Sequence, residues 1–207
     1  MDGTLIESES IWHRTEVEIG QELGVPWTLE DSLQYVGSPM QLWANAMIER
    51  GATLSPMELG EMVSRRVAEE VRANIPWIPG AQKLLADIAA AGIPAAIVTN
   101  AAPWNAQAVL EAAPEGALKF AVSAYELEHA KPHPMPYLIG AEKLGISIEG
   151  SIGMEDSITG ATAVTASGLA LWFVETHSPA PATAERAIAD LTEVSVEDLL
   201  RRLNETS

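Results

Sequence analysis

Four short apolar runs, separated by helical stretches, constrain the fold of this chain more than any other feature. They lie at residues 93–98, 120–123, 151–154 and 169–174. Fully apolar strands that alternate with helices are typical of a parallel sheet covered on both faces. The sequence therefore predicts an α/β fold with a doubly wound, Rossmann-like parallel sheet. In such sheets ligands bind at the carboxyl ends of the strands, so the residues after each run are the candidates for chemistry.

The chain before these runs has a different pattern. Residues 8–74 show helical spacing of apolar groups, with Thr28 and Ser55 placed to cap helices and Pro56 at a first helical position. The pattern changes at residues 75–80. A chain of 207 residues is long enough for one core domain with an inserted subdomain. We expect an α/β core of residues 1–7 and 78–207, interrupted by a helical insertion of residues 8–77.

Charge and composition exclude several classes of function. The formal net charge of −17 repels nucleic acid and anionic lipid, so neither nucleic acid nor a membrane is expected as a partner. The absence of cysteine excludes disulfides, thiolate catalysis and cysteine-ligated zinc. No run reaches the roughly 18 apolar residues of a membrane span, and the start carries no secretory signal pattern, so a cytoplasmic location is expected.

Polar side chains follow three of the apolar runs. Thr99 and Asn100 precede a helix start at Pro103 and form a natural phosphate cradle, although they also fit simple helix capping. Lys131, held before a proline, is placed to neutralise a phosphate or is an exposed loop residue.

The adjacent carboxylates Glu155 and Asp156 are oxygen ligands of the type that Mg²⁺ prefers, or else an acidic helix start. His129 and His133 lie four residues apart, but the prolines between them prevent a helical pair, which argues against a metal site.

Four segments occur in a fixed order along the chain: Asp2-Gly3-Thr4-Leu5, Thr99-Asn100, Lys131-Pro132, and Glu155-Asp156-Ser157 with Gly160. In this order the chain resembles the haloacid dehalogenase superfamily, and especially its capped branch of small phosphatases and β-phosphoglucomutase-like enzymes. The resemblance covers nearly the whole chain. It implies Mg²⁺-dependent hydrolysis of a small phosphorylated metabolite, such as a sugar phosphate, through an aspartyl-phosphate.

The resemblance also implies a role for each matching residue. Asp2 corresponds to the general acid/base and, through its carbonyl, to a metal ligand. Thr99, with Asn100 beside it, corresponds to the phosphate-binding residues and Lys131 to the charge stabiliser. Glu155 and Asp156 correspond to the acidic pair that binds Mg²⁺.

This sequence departs from the family pattern at one point. The resemblance places the nucleophilic aspartate, and the apolar strand that leads to it, ahead of residue 1. A truncated copy of an active enzyme, an inactive protein that binds a phosphorylated ligand, and substitution by another carboxylate are the three explanations. We expect the 207 residues alone to lack appreciable phosphatase activity.

The helical insertion matches the family's cap, which closes over the site and selects the substrate. Glu9, Trp12, His13, Gly37 and Ser38 are the cap-side candidates for substrate binding, although Trp12 also fits the core of the helical bundle and His13 a solvated position. The expected partner is a small phosphorylated metabolite, and the expected state is a monomer or weak homodimer. A β-phosphoglucomutase-like phosphotransferase is the alternative enzyme, and a binding module for a phosphorylated ligand is the alternative outside catalysis.

Overall fold

The computed structural model describes residues 1–35 and 40–205 and divides the chain into two compact units. The α/β unit comprises Met1–Glu7 and Ile75–Ser207, and the helical unit comprises Ser8–Asn74. The second boundary lies three residues before the one predicted at residue 78. The reason is backbone pairing: Glu7 N–H donates to the Pro76 carbonyl at 2.8 Å, and Trp77 forms a β-bridge with Ile6.

The helical unit contains α1 (Glu9–Glu22), α2 (Leu29–Leu33), α3 (Met40–Glu49) and α4 (Pro56–Ala73). Two helices begin at capping boxes, in which Thr28 pairs with Asp31 and Ser55 pairs with Glu58. Each box satisfies backbone N–H groups that the first helical turn leaves without partners. The core of the unit consists of side chains that are almost fully buried: Ile19, Trp43, Met47, Leu59, Val63 and Val67.

The α/β unit alternates strands and helices after its first helix. Its elements are α5 (Ala81–Ala91), β1 (Ile97–Thr99), α6 (Pro103–Ala112), β2 (Ala121–Ser123), α7 (Met135–Leu144), β3 (Ile152–Glu155), α8 (Ile158–Ser167), β4 (Ala170–Val174), β5 (Arg186–Ile188) and α9 (Val196–Asn204). Every strand pairing is parallel, which confirms the predicted α/β class. Within the described part of the chain, no helix has the length and hydrophobicity needed to cross a membrane.

Both faces of β4 are covered, which explains why this strand is apolar at every position. Trp172 and Val174 pack on one side in a cluster with residues of α5 and α9. Leu171 and Phe173 pack on the other side with residues of α7 and α8. Helices therefore lie on both faces of the sheet, as a doubly wound fold requires.

The parallel strands form two separate sheets rather than the single sheet that the sequence predicts. β1 pairs with β2, and β3 pairs with β4, which pairs with β5. Among the described residues, β1 and β3 each have one neighbouring strand. An apolar cavity of about 240 Å³ is lined by residues of both strands, including Ile97, Val98, Ile152 and Met154.

Backbone geometry shows which edges face away from the existing pairs. Ile97 N–H donates to Phe120 across the β1–β2 ladder, and Ala170 N–H donates to Ser151 across the β3–β4 ladder. Because peptide groups alternate in direction along a strand, those of Val98 and Met154 point away from these ladders. Both inner edges therefore carry backbone groups directed away from the existing ladders, and the Val98 carbonyl among them accepts from Lys131 Nζ.

Candidate active site

The Asp-Gly-Thr turn packs directly on the carboxylate that follows β3. Thr4 Oγ1 donates to Asp156 Oδ1 at 2.8 Å, and Thr176 Oγ1 donates to the Gly3 carbonyl at 2.6 Å. Gly3 has a φ of +68°, and a Cβ at this position would lie 2.0 Å from Asp156 Oδ2. Only glycine therefore permits both this backbone conformation and this close approach. The turn that carries Asp2 is thereby attached to the end of β3.

Lys131 connects the end of β1 to the end of β3. Its Nζ donates to the Val98 carbonyl at 2.8 Å and to the Tyr137 hydroxyl at 3.2 Å, and it forms an ion pair with Glu155. The side chain is only 6% exposed. An ammonium group has three protons, so these three acceptors use all of them in this structure.

Glu155 has a different set of contacts from the one expected for a metal ligand. Its Oε1 accepts from Lys131 and from the Tyr137 hydroxyl, and its Oε2 accepts from the Ser157 hydroxyl at 3.3 Å. Burial alone would raise the pKa of Glu155, but Lys131, the amino terminus and the Tyr137 hydroxyl lower it overall. Both oxygens are occupied by protein donors. The metal role of Glu155, in a pair of which Asp156 is the favoured direct ligand, stays a prediction.

Thr99, the last residue of β1, and Asn100, which follows it, make different contacts. Thr99 is buried, and its Oγ1 accepts from Ala101 N–H at 3.1 Å, in front of the N-terminus of α6. Asn100 Nδ2 donates to the Lys131 carbonyl at 3.3 Å, while its Oδ1 accepts from Lys131 N–H at 3.1 Å. Asn100 therefore holds the backbone that carries Lys131, and its part in phosphate binding stays a prediction.

The donor set around Asp156 fits a hard divalent cation. Burial raises the pKa of Asp156, and the positive amino terminus and the hydrogen bond from Thr4 offset this only in part. A buried carboxylate with a raised pKa is stabilised in its charged form when a cation binds beside it. Carboxylate and carbonyl oxygens of Asp156 and Asp2 are ligands of the kind that Mg²⁺ prefers. The metal roles of these residues remain predictions.

The cap-side candidate Glu9 belongs to the helical unit, where its Oε1 lies 3.7 Å from Nε2 of His13. Neither ring nitrogen of His13 has a hydrogen-bond partner among the residues described. Gly37 and Ser38 lie outside the described residues.

The two histidines near Lys131 are closer than the sequence suggests. The ring centroids of His129 and His133 lie 4.4 Å apart, although the residues are not on a helix. The prolines near these histidines exclude a helical pair, but they do not exclude a turn that brings the two rings together. His133 Nδ1 accepts from Met135 N–H at 3.2 Å, so one ring nitrogen is already used. A metal role for the pair remains disfavoured.

The family assignment rests on a match over most of the chain. A sequence model of haloacid dehalogenase-like hydrolases matches residues 1–174. The chain belongs to this family. Hexitol phosphatase B of Escherichia coli is 29% identical over 97% of this chain and 94% of its own length. The 6-phosphogluconate phosphatase of the same organism is 26% identical over 83% of this chain and 78% of its length.

A solved structure agrees in fold with this haloacid dehalogenase-like chain. The crystal structure of CbbY from Rhodobacter sphaeroides in complex with phosphate superposes with a TM-score of 0.80. It is 23% identical, and the match covers 93% of this chain and 92% of that one. The likeness confirms the predicted fold class of this haloacid dehalogenase-like hydrolase.

Sequence reasoning missed two side chains of the site. Tyr137 lies six residues after Lys131, at a position of α7 whose neighbours suggest ordinary core packing. Thr4 belongs to the Asp-Gly-Thr turn, but its hydroxyl was given no role. Both side chains make contacts with segments that are remote in sequence, so only the three-dimensional structure reveals them.

Proposed function

We propose that this protein hydrolyses phosphate monoesters of small metabolites, with sugar phosphates as the substrate class, in a Mg²⁺-dependent reaction. One observation carries the proposal. The contacts of Lys131 with Val98 and Glu155, and of Thr4 with Asp156, bring the turn at residues 2–4 and the ends of β1 and β3 to one edge. The names of the two E. coli relatives, a hexitol phosphatase and a 6-phosphogluconate phosphatase, support the same substrate class.

Each residue then has a defined task. The Thr99 hydroxyl donates to a phosphate oxygen in front of the α6 N-terminus, where the helix dipole favours negative charge. Lys131 supplies local positive charge in a chain whose net charge is −17. Asp2 protonates the leaving oxygen and then activates water. Mg²⁺ held by Asp156 and Asp2 would supply charge that offsets the repulsion between phosphate and carboxylates.

The nucleophile requires a second carboxylate beside Asp2. One carboxylate cannot attack phosphorus and protonate the leaving group in the same step. We place the nucleophilic aspartate at the end of an apolar strand that fills the cavity between β1 and β3. The apolar lining of that cavity supports this placement, as do the inner edges of β1 and β3, which pair with no further strand among the residues that the structure describes.

The test compares two proteins. One is the 207-residue chain, and the other carries an added strand, Val-Ile-Val-Phe-Asp, directly before Met1. Both are assayed for inorganic phosphate release from a panel of sugar phosphates with Mg²⁺. We expect turnover from the extended chain alone, because loss of a covalent nucleophile removes several orders of magnitude in rate. A version of the extended chain that ends in Asn instead of Asp is the matched control.

Each other outcome has a defined meaning. Equal turnover by both proteins, once contaminating phosphatase is excluded, would show that the nucleophile is misassigned. A folded extended chain that binds sugar phosphates without turnover would favour a binding module. Isomerisation without phosphate release would favour the phosphomutase alternative. The cytoplasmic location and the monomeric or weakly dimeric state remain predictions.

A further inference from the structure

We propose that Tyr137 is a positioning residue whose hydroxyl holds the Lys131 ammonium in place and releases it to an incoming phosphate. The proposal rests on the proposed function for the identity of the ligand. It concerns a residue outside the four segments that carry the family resemblance.

The ring of Tyr137 has a fixed location. It is 6% exposed and belongs to the apolar cluster formed with Ala161, Val164 and Phe173. The cluster joins α7 to α8 and β4, and packing within it restricts the ring, which also lines the apolar cavity of about 240 Å³. The hydroxyl is therefore positioned by the packing of its ring within this cluster.

The hydroxyl completes a triangle of three buried polar groups. It donates to Glu155 Oε1 and accepts from Lys131 Nζ at 3.2 Å, while Lys131 also pairs with the same Glu155 oxygen. Lys131 Nζ lies 4.9 Å from the centroid of the Tyr137 ring. Lysine has a long flexible stem, so a location this specific needs several fixed partners.

The geometry also indicates which contact Lys131 exchanges for a phosphate oxygen. All three ammonium protons are used, so binding a ligand requires the loss of one acceptor. The Tyr137 contact, at 3.2 Å, is the longest of the three. When it breaks, the hydroxyl still donates to Glu155, so no buried donor is left without a partner. Loss of Glu155 would instead leave a buried charge uncompensated.

A purely structural role makes a different prediction. If Tyr137 only filled space, phenylalanine would replace it without consequence, since the ring and its packing are unchanged. The hydroxyl, however, is buried between two charged partners. Removing it takes a donor from Glu155 and an acceptor from Lys131 while leaving the ring in place.

The first test measures Lys131 in the 207-residue chain without any assay of activity. Acetylation of the Lys131 amine by acetic anhydride is followed by mass spectrometry, relative to Lys83, whose side chain is 81% exposed. In Tyr137→Phe we expect Lys131 to react about fivefold faster, the factor that corresponds to one ordinary hydrogen bond. Tyr125→Phe, at a tyrosine that is half exposed, is the matched control and should change nothing.

The second test uses the extended chain and steady-state kinetics. We expect Tyr137→Phe to lower kcat about tenfold with KM nearly unchanged, because a displaced ammonium affects the transition state more than substrate binding. Unchanged Lys131 labelling and unchanged kcat would overturn the proposal. So would a uniform rise in the labelling of every lysine together with a lower Tm, because that pattern indicates general loosening. If the extended chain has no phosphatase activity, the proposed function fails, while the labelling result still decides the role of Tyr137.

Discussion

Glu16 is a buried carboxyl whose replacement tests the electrostatics of the helical unit. It lies on α1, is only 6% exposed, and its Oε2 has no hydrogen-bond partner among the residues described. Burial raises the pKa of Glu16 to about 7, and hydrogen bonds with Ser32 and Trp27 reduce the effect only in part. We expect Glu16→Gln to remove a pH dependence from the free energy of unfolding.

The sign and size of the effect follow from proton linkage. Between pH 4.5, the ordinary value, and about pH 7, the folded state keeps the proton that the unfolded state has released. The folded state binds more protons in this window, so stability decreases as pH rises. Each pH unit removes about 1.4 kcal/mol, which amounts to about 3 kcal/mol across the window.

The assay is urea denaturation at several pH values between 4.5 and 8, followed by tryptophan fluorescence. Trp27 is a useful probe because it is buried beside Ser32, to which its Nε1 donates at 2.9 Å. Glu18→Gln, at an exposed position of the same helix, is the matched control. The comparison is repeated in a His13→Gln background, because His13 lies on the same helix as Glu16.

The decisive quantity is the difference in the free energy of unfolding between Glu16→Gln and wild type, measured as a function of pH. We expect the stability of the variant to increase steadily relative to wild type as pH rises. The stability of the control should show the same pH dependence as wild type. A difference that stays constant across the range would refute the reasoning, because it would mean that Glu16 has the same pKa in the folded and unfolded states.

Two further predictions concern the candidate active site. In the extended chain, Asp156→Asn should raise the Mg²⁺ concentration needed for half-maximal activity and lower turnover by about 100-fold. A Mg²⁺ titration of the activity measures both effects. Full wild-type activity in excess chelator would contradict the metal assignment. Gly160→Ala should destabilise the protein by about 1–3 kcal/mol in urea denaturation, because a Cβ at Gly160 would lie 2.0 Å from Glu155 Oε2. Thr162→Ala, at an exposed position on the same helix, is its control, and equal stability of the two variants would show that Glu155 has room to move.

The elements that the sequence predicted well carry strong local signals. Thr28 and Ser55 were expected to cap helices, and both form capping boxes. The strands expected from apolar runs are confirmed with shifts of a few residues at their ends. β5 (Arg186–Ile188) was not predicted, because its three residues form no continuous apolar run. β5 is defined by its parallel pairing with β4, which its own sequence does not indicate.

The candidate site was predictable only at the level of which segments approach one another. Strand ends meet at one edge of a parallel sheet, so the order of the polar segments carried information. The contacts within the site depend on side-chain conformations and loop paths that no local pattern specifies. Asn100 bonds to the backbone of Lys131 across 31 residues, and Tyr137 bonds to Glu155 across 18. These contacts decide that Asn100 and Glu155 hold Lys131.

The division of the parallel strands into two sheets has a consequence for the order of folding. β1 and β2 are joined through α6 alone, and β3 and β4 through α8 alone, so each pair closes over a short stretch of chain. Short closures cost little loop entropy and form early, whereas a strand that joins the two sheets must wait for both. The contacts of Lys131 with the Val98 carbonyl and with Glu155 join the two sheets, so we expect them to form only after both strand pairs are in place.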